Sequence, residues 1–110
     1  MKLKTLLGLA AAALLATTAS VSAASLAEIQ ASGKIRIAVV PGVPLFAYVD
    51  QDLRLTGSDP EMARLIAQDL GVEIEFVEIA NAARVPTIQA GTADLLIGNL
   101  ATTSERLQVI

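Results

Sequence analysis

Val85 to Arg106 reads V-P-T-I-Q-A-G-T-A-D-L-L-I-G-N-L-A-T-T-S-E-R, and its punctuation sets the architecture. Val85 and Ile88 fall at helical spacing, Gly91 stops that short helix, Asp94 to Leu100 reads as a buried strand, and a new helix opens near Thr103. The strand thus hands its C-terminal end to a helix N-terminus. In an open parallel α/β sheet, ligands bind at that edge because strand ends and unpaired helix N–H groups converge there. Arg106 falls in the first turn of the new helix, where a guanidinium beside unpaired donors makes a positive site suited to a carboxylate.

Toward the N-terminus the pattern is that of the same sheet. Val72 to Ile79 alternates V-E-I-E-F before turning to V-E-I, which predicts a strand with one buried face near the sheet edge. Glu73, Glu75 and Glu78 are then a solvated face rather than an acid–base or metal set. Ala80 to Arg84 reads as a loop leaving that strand. Before it, Gly57-Ser58-Asp59-Pro60-Glu61 starts a helix in one of two ways. Either Ser58 and Glu61 form a capping box, or Asp59 caps with Pro60 at the first helical position. Met62, Leu65, Ile66 and Leu70 share one face of this helix, extended by Ala63 and Ala67. Glu61, Arg64, Gln68 and Asp69 form the wet side, and Gly71 is the stop.

Leu45 to Val49 and Arg54 to Thr56 flank the turn-like Asp50-Gln51-Asp52, which suggests a small hairpin. Pro41-Gly42-Val43-Pro44 is a loop, since neither proline can donate to a ladder. The run it terminates, Lys34 to Val40, is β-branched and becomes continuously apolar, as befits a strand in the middle of a sheet. Ser25-Leu26-Ala27-Glu28 fits a capping box that opens a first helix ending near Gly33. The order is therefore helix, strand, helix, strand, helix, strand, helix. Its connections are short enough for right-handed parallel crossovers.

Residues 1–23 have the parts of a secretory signal peptide: basic Lys2 and Lys4, an apolar run from Leu6 to Ala16, and small residues Val21-Ser22-Ala23 at the cut. Thr17, Thr18, Ser20 and Ser22 interrupt the run short of the roughly 20 apolar residues a membrane anchor needs. Cleavage after Ala23 leaves residues 24–110 as a periplasmic product, without stable insertion in the membrane. That product carries six Lys/Arg against eleven Asp/Glu, a net charge of −5. Scattered basic residues in an acidic chain argue against nucleic acid as a partner. No Cys and no His are present in the 110 residues, which excludes disulfides, thiolate or imidazole metal sites and Ser-His-Asp catalysis within this chain. No catalytic residue, metal ligand or cofactor is expected.

Three blocks, in order, resemble the N-terminal lobe of the periplasmic solute-binding proteins of family 3, the binding components of polar amino-acid ABC transporters. Gly33-Lys34-Ile35-Arg36-Ile37-Ala38-Val39 is similar to the opening strand of that family. Leu55-Thr56-Gly57-Ser58-Asp59-Pro60-Glu61-Met62-Ala63, running to Leu70-Gly71, resembles its G-x-D-x-D-x-A helix with the terminal L-G. Val85-Pro86-Thr87-Ile88-Gln89-Ala90-Gly91-Thr92-Ala93-Asp94 with Thr103-Ser104-Glu105-Arg106 resembles its I-P-x-L-x-x-G-x-x-D followed by T-x-E-R.

The resemblance implies an α/β lobe with a mainly parallel sheet flanked by helices, one of two lobes that close on an amino acid or similar small carboxylate and deliver it to an ABC transporter permease. It implies that Arg106 holds the ligand's α-carboxylate, with help from main-chain groups of Asn99, Leu100 and Ala101, and that Phe46 lies near the ligand side chain. Two departures stand out. Ala101 occupies a position where relatives commonly carry a hydroxyl, and Val43 and Asn81 stand where they commonly carry aromatics, with Phe46 and Tyr48 nearby. Ile110 falls just before the F-S-x-P-Y-like segment of relatives, so the lobe is expected to be incomplete, with sheet edge and apolar helix faces exposed. Binding-protein-like lobes also occur in periplasmic cyclohexadienyl dehydratases, in lytic transglycosylases and in receptor sensor domains, and these are the alternative readings.

Overall fold

A computed structural model describes residues 23–110, so the signal peptide expected at residues 1–23 lies outside the described residues except for Ala23. Lys34–Val39 forms β1, in which Ile37, Ala38 and Val39 are fully buried. Such burial on both faces requires neighbours on both sides. On one side runs β4 (Glu73–Glu78), parallel and in register from Lys34 opposite Glu73 to Val39 opposite Glu78. On the other runs β5 (Leu95–Leu96), also parallel, with Ile37 opposite Leu95 and Ala38 opposite Leu96. The expected central and edge positions of the two long strands hold.

The connections also follow the expected order. Ser25 and Glu28 make the reciprocal capping box of α1 (Leu26–Ser32), which ends on Gly33 in the left-handed conformation. Tyr48–Val49 and Leu55–Thr56 pair antiparallel as β2 and β3, the small hairpin. Asp50 shapes its turn, since the side-chain Oδ1 accepts from the N–H groups of Asp52 and Arg54, both at 2.9 Å. Next come α2 (Ser58–Leu70), β4, a 3-10 turn at Asn81–Ala83 that runs into α3 (Arg84–Gln89), and β5. The segment expected as a loop, Ala80 to Arg84, is thus mostly helical.

Three local expectations are corrected. Neither Ser58 nor Asp59 caps α2. Gly57 is its N-cap, and the N–H groups of Ser58 and Asp59 donate to the main-chain carbonyls of Leu45 (3.0 Å) and Phe46 (2.9 Å). The loop after β1 supplies the acceptors that a side chain was expected to supply, which closes this helix N-terminus to any ligand. The buried stripe of α2 is also narrower than its apolar pattern. Ala63 and Ala67 face the sheet with Ile66 and Leu70 half-buried beside them, whereas Met62 and Leu65 are more than half exposed. Small residues sit where helix and sheet approach most closely, and the bulkier pair is rotated outward. Arg64 is not simply wet. Its guanidinium lies 5.2 Å from the Phe76 ring centroid and donates to the Leu55 carbonyl at 2.7 Å, tying α2 to β3 and β4.

The strand expected from Asp94 to Leu100 is regular only at Leu95–Leu96, although its main-chain bonds to β1 begin with Asp94 N–H on the Arg36 carbonyl (2.8 Å) and end with Ile97 N–H on the Ala38 carbonyl (3.0 Å). With a single strand neighbour among the described residues, β5 leaves the ladder at Gly98. Its N-terminal end is held instead by charge. Asp94, with a side chain 3% exposed, receives Arg36 Nη2 at 2.6 Å, Arg36 Nε at 3.2 Å and the Arg36 main-chain N–H at 2.9 Å. Arg36 Nη1 continues to the carbonyls of Gly91 (2.8 Å) and Thr92 (3.2 Å), fastening the turn between α3 and β5.

Burial pushes the Asp94 carboxyl up, but the bonds from the Arg36 side chain and from the main chain of Arg36 and Ala24 hold it below the ordinary carboxylate value. A carboxyl so depressed adds stability above its unfolded value, and that stability is lost as pH falls through the folded one. Asp94→Asn is expected to cost about 2–3 kcal/mol at pH 7, the lower range for a broken buried pair because Arg36 is one-third exposed. In urea unfolding, the gap between wild type and variant should shrink as pH falls below about 4. Gly57→Ala should also destabilise, by about 1–3 kcal/mol from the backbone alone. Its φ is 119°, and a Cβ there would stand 2.4 Å from the Phe46 carbonyl oxygen.

Candidate functional site at the strand ends

The chain passes from β1 to β4 on one side, then back across β1 to β5 on the other, giving the order β4-β1-β5. Ligands bind at the C-terminal ends of adjacent strands in parallel α/β sheets, and the candidate crevice here is flanked by the ends of the adjacent parallel strands β1 and β5. One wall is the loop after β1, which carries Phe46. The other is Gly98 to Arg106, which carries Asn99, Leu100 and Ala101. The fold therefore places every residue expected to bind at one end of the sheet.

Within the second wall the contacts are specific. Arg106 Nη1 donates to the Ala101 carbonyl at 2.8 Å, and its other guanidinium N–H groups have no partner among the described residues. Arg84, at the start of α3, donates through Nε to the Asn81 carbonyl (2.8 Å) and through Nη1 to the Asn99 carbonyl. Two guanidinium groups thus occupy alternate carbonyls of the same segment. The N–H groups of Asn99, Leu100 and Ala101 meanwhile donate to no protein acceptor among the described residues. Phe46 contributes a half-exposed ring, its carbonyl committed to α2 and its N–H to the Val43 carbonyl.

The helix expected to open near Thr103 is one 3-10 turn, Arg106–Gln108. Its N-cap is Glu105 and not Thr103, although Thr103 Oγ1 accepts from the Arg106 N–H at 3.2 Å. That bond uses a donor expected to be open, and a single turn has too few aligned peptides to offer an appreciable dipole. The positive character of this wall comes from Arg84 and Arg106 instead. Arg84, read from sequence as the last residue of a loop, is a brace of the strand end. The sequence carries no signal for this, because a side-chain bond to a main-chain carbonyl leaves no trace in composition.

A second concavity of about 400 Å³ lies at the opposite end of β1, lined by Ala24, Glu28, Ile29, Ser32, Lys34, Arg36 and Asp94. It is far from the crevice along the strand direction and holds none of the expected binding residues. Among the described residues no cluster of acidic groups suits a metal ion, and no helix is long and apolar enough to cross a membrane.

The family model of the bacterial extracellular solute-binding proteins, family 3, matches residues 35–110, and the chain belongs to that family. YhdW of Escherichia coli K12, named as an amino-acid ABC transporter-binding protein, is 29% identical over 103 residues, 89% of this chain and 30% of the relative. This chain therefore spans less than a third of that relative's length. The ancestral amino acid-binding protein AncCDT-1, described as a precursor of cyclohexadienyl dehydratase, superposes with a TM-score of 0.73 at 29% identity, covering 77% of this chain and 37% of that one. The arginine-bound form of domain 1 of ArgBP from T. maritima gives a TM-score of 0.70 at 28% identity, covering 74% of this chain and 64% of that one.

Arg84→Ala removes the brace on Asn99. A net hydrogen bond of about 0.5–1.5 kcal/mol corresponds to roughly two- to tenfold faster hydrogen exchange at Ile97, whose N–H is bonded to the Ala38 carbonyl just before the braced segment, with β1 and β4 unchanged. Exchange measured by mass spectrometry on peptides spanning the two regions checks this.

Proposed function

We propose that residues 24–110 form the first lobe of a periplasmic binding protein, exported by a leader cut after Ala23, which takes an amino acid or similar small carboxylate for delivery to an ABC importer. The observation that carries the reading is Arg106: a guanidinium anchored through one N–H on the Ala101 carbonyl, with its remaining donors unpartnered, at the crevice between β1 and β5. A planar fork fixed in this way matches the two oxygens of a carboxylate. The adjacent N–H groups of Asn99, Leu100 and Ala101 add neutral donors, and Phe46 offers an apolar surface to the ligand side chain. Family membership and the amino-acid-binding names of the relatives support the same ligand class.

Loss of a hydrogen bond between charged groups removes roughly 1.5–3 kcal/mol. Arg106→Ala is therefore expected to weaken amino-acid binding by about ten- to over a hundredfold. Arg106→Lys should restore only part of it, because an ammonium lacks the fork. Titration calorimetry of the exported protein against a panel of amino acids is the measurement. Domain 1 of ArgBP is described in an arginine-bound form, which motivates including arginine in the panel. Equal affinity of wild type and Arg106→Ala would remove Arg106 from the site. Ligand recovered unchanged by mass spectrometry supports binding, and a dehydrated product would support the enzymatic alternative instead.

A further inference from the structure

We propose that removal of the leader after Ala23 turns the main-chain nitrogen of Ala24 into an α-ammonium that docks on the Asp94 carboxylate, so that processing itself completes the anchor at the base of the sheet. This rests on the cleavage site given above. Hydrolysis adds water across the Ala23–Ala24 peptide bond. Ala23 leaves as a carboxylate, and the freed amine of Ala24 takes up the proton.

The geometry is in place before the cut. The Ala24 nitrogen lies 3.3 Å from Asp94 Oδ1, and Ala24 packs against the core cluster of Ile29, Ile35, Ile37, Ala63 and Ala67. As an amide it offers one N–H without net charge. As an ammonium it offers three N–H donors and a full positive charge to a carboxylate that is almost wholly buried.

The charges around it leave room for that cation. Four ionisable side chains line the concavity with Ala24: Glu28 from α1, Lys34 and Arg36 from β1, and Asp94 at the start of β5. Lys34 is already matched by Glu75 at 3.1 Å. Arg36 then stands alone against two carboxylates, because Glu28 is bonded only by the uncharged N–H and hydroxyl of Ser25 (2.7 and 2.6 Å). The uncut chain therefore holds an excess negative charge here, and the new ammonium neutralises it. Arg36, the cation bonded to the same carboxylate, already shares its charge with Asp94 and is one-third exposed, which weakens its repulsion of the ammonium.

The pH dependence has a definite sign. An amine held above its ordinary value of about 7.7–8.0 contributes stability that is complete below that value and is lost as pH rises through the folded one. Acetylation of the Ala24 amine restores an uncharged N–H and mimics the uncut peptide bond. The experiment uses the exported protein, with its first residue read by mass spectrometry, as free amine and after enzymatic Nα-acetylation. Urea unfolding of both forms is followed from pH 6 to pH 10. Below pH 7 the free amine should have a folding equilibrium constant about tenfold larger, and the two forms should converge near pH 10. Equal stability throughout overturns the proposal. The rate of α-amine labelling in the native protein against pH decides separately, even where unfolding is not cooperative: an amine titrating above its ordinary value supports the ion pair, and an ordinary value overturns it. A first residue other than Ala24 overturns the cleavage site and the proposal together. Ala24 in first position with no effect of acetylation overturns the proposal alone.

Discussion

Asp94 is the constraint on which the described structure depends. It is an acid whose side chain is 3% exposed, at the start of a strand only two residues long, and it survives burial because Arg36 meets it with both side chain and main chain. Burial of an unpaired carboxylate is too costly to tolerate, so pairing and position are one requirement. Once Asp94 is seated on Arg36, the register of β5 against β1 is set, with Ile37 opposite Leu95 and Ala38 opposite Leu96. A shift by one residue would separate the carboxylate from the guanidinium and turn Leu95 and Leu96 to the wrong faces. Apolar pairing over two residues does not resist such a shift; the ion pair does.

From that register follows the position of the candidate crevice. Leu95–Leu96, parallel to β1, brings Gly98 to Arg106 to the same end of the sheet as the loop after β1 that carries Phe46. The segment beyond Gly98 has no ladder to hold it. Arg84 and Arg106 hold it through the carbonyls of Asn99 and Ala101. Short side-chain bonds to loop carbonyls keep a shape with less stability than a ladder.

How much of this is legible in the residues depends on the range of the interaction. β1, β4 and α2 are written in periodicity, because burial on one or both faces acts on every residue of the element. The caps show the limit. Ser25 and Glu28 lie three residues apart, and their box forms as expected, but α2 is capped by the carbonyls of Leu45 and Phe46, eleven or more residues away. Met62 and Leu65 mislead for a related reason. Their spacing is helical, yet the distance between helix and sheet admits only Ala63 and Ala67 at the closest point. In the site, the family motif marks Arg106, and at the base it marks Asp94. Nothing in the pattern marks Arg84 as the partner of Asn99, since a main-chain acceptor has no residue type. The stretch from Asp94 to Leu100 reads as one strand because its apolar run continues to Ile97, and the sequence does not register that β5 has a single strand neighbour among the described residues.

The two ends of β1 divide the work of the lobe by the kind of partner each charge has. At the base, Lys34 meets Glu75 and Arg36 meets Asp94, so each cation is matched by a carboxylate within 3.1 Å. At the opposite end, Arg84 and Arg106 meet main-chain carbonyls, which orient a guanidinium without neutralising it. Coulomb attraction to an incoming anion is therefore spent at the base and preserved at the crevice. An acidic chain with few basic residues can still attract a carboxylate on this principle. What counts is which arginines have been left without an acid.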